Sequence, residues 1–348
     1  MPAMGPELLP KVASPTAPVV RAGNLATIIA KLRPLGVPLT PYLKRAGISE
    51  EIIETPDALI SLPRSVRFLE LVASAEGIPD LGLRSGHATL IADLGPYGTT
   101  LDRSITVYDY LRLGVPLYKS VSNAHSFWLE DRGEKVRLCQ GFDLEPGLGT
   151  TQGDLNGIAI LTGKFREALG PNWTPTMVSL AWECNDLLSN MPALEDTGVI
   201  TGSGQTYIEF RRVDLRAPFP CTAGNRHERL VSSDELEPIP NSLIDLTAMQ
   251  IERLVVHKCF SINLLAETLS VPARTLQYHL ARAGLSYRTL LNEARFRRAA
   301  QRLESSDAPI AQIAADLGYG DASSFTRAFQ KMSGVSPRTY RQGIREAM

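Results

Sequence analysis

The sequence predicts an α+β N-terminal domain joined to an all-α C-terminal domain that holds two helix-turn-helix motifs. Three observations predict this. Up to about residue 216, strand and helix patterns mix without a regular βαβ alternation. After residue 242 every pattern is helical, and residues 262–280 repeat in residues 310–329. A chain of 348 residues is long enough for two such domains.

Residues 1–20 carry five prolines and a single lysine, with no charged segment leading into an apolar block, and are expected to form a disordered tail. Leu25, Ile28, Ile29 and Leu32 then lie on one face of a helix stopped by Pro34. A short segment with Tyr42, Leu43 and Ala46 opens at Pro41 and closes at Gly47. Val66, Leu69, Leu71, Val72 and Ala75 mark a stronger helix that follows Pro63 and ends at Gly77. The Gly-rich passage 81–98 interrupts the helical pattern. Residues 105–118 resume it, with Thr106 as the N-cap.

The first strand signal is 126–142. Phe127, Trp128 and Leu129 lead into the turn Asp131-Arg132-Gly133, and Val136, Leu138 and Gln140 then alternate as a half-buried strand requires. A long helix over 151–169 buries Leu155, Ile158, Ala159, Phe165 and Leu169. Two more strands, 177–182 and 207–213, flank a loop containing Gly198, Gly202 and Gly204. Residues 217–240 hold several prolines, paired serines and a run of charges, so a linker is expected there.

In residues 310–329, Ile310, Ile313, Ala314 and Leu317 recur at helical spacing. Gly318 then supplies the positive φ that ends a helix, and Asp321 caps the next one. Phe325, Ala328 and Phe329 face inward, while Ala322, Ser323, Thr326, Arg327 and Gln330 face out. Placing Ala266 on Ala314 sets Leu269 on Leu317 and Ser270 on Gly318. Leu276 and Leu280 match Phe325 and Phe329 if the turn of the later copy is one residue longer. Between the copies, residues 287–303 form a continuous helix carrying Arg288, Arg295, Arg297, Arg298 and Arg302. Such a spacer fixes how far apart two DNA-reading helices stand, and successive major grooves on one face of B-DNA lie roughly 34 Å apart.

Charge supports that division. Residues 241–348 carry 14 Lys/Arg against 9 Asp/Glu, whereas the other 240 residues carry 22 against 28. A basic module joined to an acidic body suits a DNA reader with a sensory partner domain. No apolar run approaches the ~18 residues of a membrane span. The four cysteines form no close pair, so neither a disulfide framework nor a zinc site is expected, and a reducing cytoplasm fits best. An enzyme finds no support: G-x-S-x-G is absent, Gly202-Ser203-Gly204 precedes a strand with no following helix, and the five histidines show no metal-ligand spacing. No cofactor is expected.

The strings LAETLSVPARTLQYHLARAGLSYRTLLNEARFRRA and IAADLGYGDASSFTRAFQKMSGVSPRTYR resemble the DNA-binding domain of the AraC family of bacterial transcription regulators, over about the last 105 residues. SLPRSVRFLELVASAEGIPDLGLRSG, DLGPYGTTLDRSITVYDYLRLG and LGPNWTPTMVSLAWE are similar to the arabinose-binding-type domain of ornithine and virulence regulators, over roughly 22–216. The resemblance implies an effector-binding or dimerisation domain (21–216) and a double helix-turn-helix domain (241–348), beside the disordered tail (1–20) and linker (217–240) read from composition. It also implies an effector-responsive activator, with double-stranded promoter DNA, a small-molecule effector, a second copy of the chain and RNA polymerase as partners. A ligand-independent dimeric regulator and an enzyme body fused to a DNA reader stay open beside it. One departure is Pro272, which stands where the family usually has a capping serine.

Helical geometry turns Arg274, Gln277 and Tyr278 outward in the first copy, and Ala322, Ser323 and Arg327 in the second, as candidate base contacts. Tyr278 and Arg327 are equally suited to phosphate. Arg288 and Arg338, beside helix starts at Ser286 and Ser336, are candidate phosphate contacts. Arg295 and Arg298 are expected to meet acidic neighbours such as Glu304, with about half of the spacer arginines solvated. For an effector, Tyr97, Tyr118, Trp128 and Trp182 are candidates to line an apolar pocket, and Arg64, Arg84 or His87 to meet a carboxylate.

Overall fold

Val136, Leu138 and Gln140 are buried along one strand while Arg137 stays partly exposed, but Cys139 between Leu138 and Gln140 is fully buried too, so the alternation expected of a half-buried strand breaks there, in the middle of the main sheet. In the computed structural model, residues 17–183, 197–220, 236–255 and 261–347 are described, and the chain divides into two units, 1–241 and 242–348.

The elements of the first unit run β1 (Val19–Arg21), α1 (Ala22–Leu32), α2 (Leu39–Ala46), α3 (Glu50–Ile53), β2 (Leu59–Ser61), α4 (Leu62–Ala75), α5 (Leu81–His87), α6 (Gly95–Leu101) and α7 (Val107–Leu117). They continue through β3 (His125–Arg132), β4 (Lys135–Phe142), α8 (Leu148–Leu169), β5 (Met177–Ser179), β6 (Gly198–Ile200) and β7 (Thr206–Arg211). The main sheet has the order β3-β4-β7-β5-β6, antiparallel except for the β5–β6 pair, and β1 and β2 form a separate antiparallel ribbon. In the core, Val136 and Leu138 of β4 and Ile208 and Phe210 of β7 pack with Leu155, Ile158 and Phe165 of α8 and with Val107, Tyr110 and Leu111 of α7. The unit is α+β, as expected.

Several local expectations need correcting. The end of the supposed tail is ordered: Val19 is fully buried, because β1 pairs with β2 and the Ser122 hydroxyl donates to the Val19 carbonyl at 2.8 Å. The rest of that tail lies outside the described residues. In α4 the buried face is Ser65, Phe68, Leu69, Val72 and Ala73; Val66 and Leu71 are only partly buried and Ala75 is exposed. The loop at Gly198 contains β6, a parallel edge strand too short to show a period.

The Gly-rich passage is helical, not irregular. A Cβ at Gly82 would lie 2.1 Å from the Gln152 carbonyl oxygen, and one at Gly86 2.5 Å from that of Asn156. These glycines let α5 lie directly against the backbone of α8. The expected linker also narrows. Phe219 N–H donates to the Ile105 carbonyl at 2.8 Å and Ile239 N–H to that of Lys119 at 2.8 Å, so both ends are fastened to the first unit. Residues 221–235 between them lie outside the described residues.

Asp154 of α8 is buried under the sheet. It accepts from Thr206 Oγ1 at 2.7 Å through one oxygen, and its other oxygen has no partner. Burial pushes its carboxyl up to about 7. The folded state therefore holds a proton that the unfolded chain releases near pH 4, so stability is highest below that pH and falls as pH rises toward 7. Asp154→Asn should raise the unfolding free energy of the first unit at pH 8 by roughly 2–4 kcal/mol and flatten its pH dependence between 4 and 7. Urea titrations at pH 5 and 8 check this.

Candidate nucleic-acid interface and ligand cavity

The second unit begins with α9 (Leu243–Leu254), followed by the first helix-turn-helix, α10 (Ile262–Thr268) and α11 (Ala273–Arg282). The spacer α12 (Tyr287–Ser305) leads to the second, α13 (Ile310–Asp316) and α14 (Ala322–Ser333), and α15 (Pro337–Ala347) closes the unit. The two motifs share one register. Leu276 and Leu280 are buried four and eight positions after the N-cap Pro272, as Phe325 and Phe329 are after the N-cap Asp321.

The turns differ in the way the aligned sequences require. Gly318 takes φ +73°, and Ser270 in the matching place takes φ +53°, the single non-glycine at positive φ among the described residues. An L side chain there costs about 1–2 kcal/mol. Asp321 accepts from Ser324 N–H at 2.7 Å and caps α14, whereas Pro272 provides no side-chain cap for α11.

This register sets which side chains face out. Arg274, Gln277 and Tyr278 are exposed at the second, fifth and sixth positions of α11; Ser323, Thr326 and Arg327 hold the same positions of α14. Thr326 is half-buried and its hydroxyl donates back to the Ala322 carbonyl at 2.8 Å; Ala322 is likewise half-buried. The exposed stripe continues to Ala281 and Gln330. The Arg282 guanidinium lies 5.8 Å from the Tyr278 ring centroid. Arg327 donates to the Ser324 hydroxyl at 3.3 Å. The two faces thus differ in chemistry: a free-standing arginine and glutamine on α11, small hydroxyls on α14.

Beyond each of these helices the same device recurs. Ser286 accepts from Thr289 N–H at 3.0 Å and Ser336 from Thr339 N–H at 3.2 Å, so both hydroxyls already cap α12 and α15. Groups at these starts that remain open to an anion are the first-turn N–H groups, with the exposed Arg288 and Arg338 alongside.

The spacer arginines do not meet Glu304, which instead accepts from the Tyr340 hydroxyl at 3.0 Å. Arg302 pairs with Asp316 at 3.0 Å, Arg297 with Glu252, and Arg298 donates to Gln301. Arg295 reaches the Gly318 carbonyl and lies 4.8 Å from the Tyr319 ring centroid. Arg295, Arg297 and Arg302 thus tie the spacer to neighbouring segments, whereas the bond of Arg298 to Gln301 stays within the spacer itself. Sequence could not reveal those ties, because Gly318, Glu252 and Asp316 lie on other segments.

With this geometry in view, the comparisons are specific. Residues 36–219, more than half of the chain, match the family profile described as the arabinose-binding domain of AraC transcription regulator, N-term, and residues 265–343 match a helix-turn-helix domain. The chain belongs to the AraC family of transcription regulators. Among the relatives, the HTH-type transcriptional regulator VirS of Mycobacterium tuberculosis is 27% identical over 330 residues, covering 93% of this chain and 96% of VirS. The ornithine utilization regulator of Pseudomonas aeruginosa is 39% identical over 77 residues, 22% of this chain and 23% of that protein. The crystal structure of the regulator CdpR from Pseudomonas aeruginosa aligns with a TM-score of 0.37 at 22% identity, over 88% of this chain and 96% of CdpR.

The N-terminal unit of this AraC-family regulator contains a cavity with about 950 Å³ of space, including the part open to solvent. Its wall is drawn from β1, α1, α4, α6, α7, β3, β4 and α8, and from the 3-10 turns Ile91–Leu94 and Tyr118–Ser120. Of the four aromatic residues expected at a pocket, Tyr97 and Tyr118 line it. Trp128 instead donates to Glu130 from β3, and Trp182 is partly exposed elsewhere. None of the three cations proposed for a carboxylate is there: Arg64 donates to the Gly47 carbonyl, Arg84 pairs with Asp80, and His87 is exposed. Sequence reading missed Asn24, His125, Phe127 and Phe142, which line the cavity from distant positions.

Substituting Ser270→Gly should remove the strained conformation and stabilise the second unit by about 0.5–1 kcal/mol, read as a higher denaturant midpoint; Ser270→Val should lower it.

Proposed function

We propose that the chain is a sequence-specific transcription activator that responds to a small-molecule effector and acts as a homodimer. The observation that carries this reading is the shared register of α11 and α14, which places two stripes of side chains at equivalent positions in one unit. A pair of such helices suits two successive major-groove segments. Arg274 would bond guanine bidentately and Gln277 adenine, each contributing roughly 1–3 kcal/mol of discrimination. Ala322 and Ser323 suit weaker contacts such as a thymine methyl, and Tyr278 and Arg327 suit a base edge or a phosphate. Arg288, Arg338 and the helix starts at Ser286 and Ser336 would hold the backbone and set the register on the duplex.

The effector part rests on the cavity of the N-terminal unit. Ligand control requires that the effector bind at least two states of the protein with different affinity. Dimerisation would cover the exposed Ile105, Tyr108 and Val213, which lie around α7 and the neighbouring 3-10 turn Arg212–Arg216. RNA polymerase is the further partner an activator needs.

In a gel-shift series with DNA upstream of its own and neighbouring genes, affinity should fall steeply with salt. Arg274→Ala should weaken binding to the preferred site by about 5- to 150-fold and relax preference at one base pair. A loss of equal size on every sequence would assign Arg274 to a phosphate, and salt-insensitive or absent binding would refute the DNA-reading role.

A further inference from the structure

The ligand class of the cavity can be read from its wall. Among the described residues no Lys, Arg, Asp or Glu lines it; the surface is mostly aliphatic and aromatic, with a few neutral polar groups. Its polar end is a short relay. The Asn24 amide donates to the Tyr118 hydroxyl at 3.5 Å, and that hydroxyl lies 3.1 Å from His125 Nδ1. Among the described residues Nδ1 is the one acceptor within reach of the phenol hydrogen, so the arrangement that leaves no hydroxyl proton unpaired has Tyr118 donating to Nδ1, with the single imidazole proton on Nε2. Burial holds His125 neutral, with its titration pushed down to about 3.

Among the described residues His125 Nε2 has no hydrogen-bond partner, although the residue is only 8% exposed. An orphaned buried donor is costly, and a native fold normally satisfies it. The ring stacks on Phe142 at 3.9 Å and packs against Phe127 and Tyr118, all three of which line the same cavity. The cavity is therefore the side from which a partner can arrive.

We propose that this cavity takes a neutral, largely apolar small molecule that presents a carbonyl-type acceptor oxygen to His125 Nε2–H. A carboxylate would be buried without a cation, and a pentose would bring several hydroxyls to a wall with few partners for them. A ketone, aldehyde, ester or lactone on an alkyl or aryl body satisfies both the wall and the orphaned donor. The domain described as arabinose-binding thus holds, in this chain, a site for a different chemistry.

The inference rests on the effector-responsive reading above, and its test is made without DNA, so a failed gel shift and a failed ligand assay are separate outcomes. The full-length protein is titrated by calorimetry and thermal shift with 2-nonanone, 1-nonanol, nonanoate and L-arabinose at pH 8. The ketone should bind, nonanoate at least about tenfold more weakly, and L-arabinose not at all. His125→Phe should weaken the ketone by about tenfold, the equivalent of one hydrogen bond. Tyr118→Phe, which frees Nδ1 and lets the imidazole proton move between nitrogens, should lower the ratio of ketone to alcohol affinity; it serves as an independent check if His125→Phe fails to fold. No binding of the ketone, arabinose or nonanoate binding as tightly as the ketone, or an unchanged ketone-to-alcohol ratio in Tyr118→Phe would overturn the proposal.

Discussion

Two recognition helices on one chain can read DNA together only if their separation is fixed, and here that separation depends on the spacer α12. Nineteen residues of helix are about 28 Å long at 1.5 Å per residue. Ala299 and Leu303 of the spacer are buried in the core of the second motif with Ile313, Ala314, Leu317, Phe325 and Phe329. The pairs Arg302–Asp316 and Tyr340–Glu304 fasten the same end, and Arg297–Glu252 fastens the spacer to α9. Each of these ties is worth little alone, because exposed ion pairs contribute about 0–1 kcal/mol. Their value lies in orientation, since the apolar core holds the helix and the polar ties limit its rotation.

The asymmetry between the copies follows from the same frame. α14 has a strong cap in Asp321, a glycine at its positive-φ turn and a core of two phenylalanines, but an outward face of small hydroxyls and one arginine. α11 has no side-chain cap and a strained Ser270, and it carries Arg274, Gln277 and Tyr278 outward. The better-built motif is thus the one with less chemistry to distinguish bases. On the proposed reading, stability and readout are divided between copies that share one register.

Much of this was legible in the sequence. Helix faces, the hairpin turn at Gly133, the caps Thr106 and Asp321, and the one-residue difference between the motif turns are all local signals, set by spacing and by residue type at caps and turns. Other features depended on tertiary partners. Gly82 and Gly86 look like breakers until α8 is seen lying against them, when their missing side chains become the reason for the contact. Arg297 and Arg302 of the spacer give no local sign of a partner until Glu252 and Asp316 are found opposite them. The cavity left no periodic trace, because Asn24, Tyr118 and His125 meet only through the packing of α1, β3 and the 3-10 turn Tyr118–Ser120.

Two readers held at a fixed spacing on one chain should leave a matching pattern on the duplex. Hydroxyl-radical footprinting of the protein on its preferred site tests this most directly, together with the same site carrying five extra base pairs between the half-sites. Two protected segments should appear about 10–10.5 base pairs apart on one face of the duplex, and one of them should be lost when half a helical turn is inserted. A single protected segment, or two that persist unchanged after the insertion, would contradict the fixed spacing.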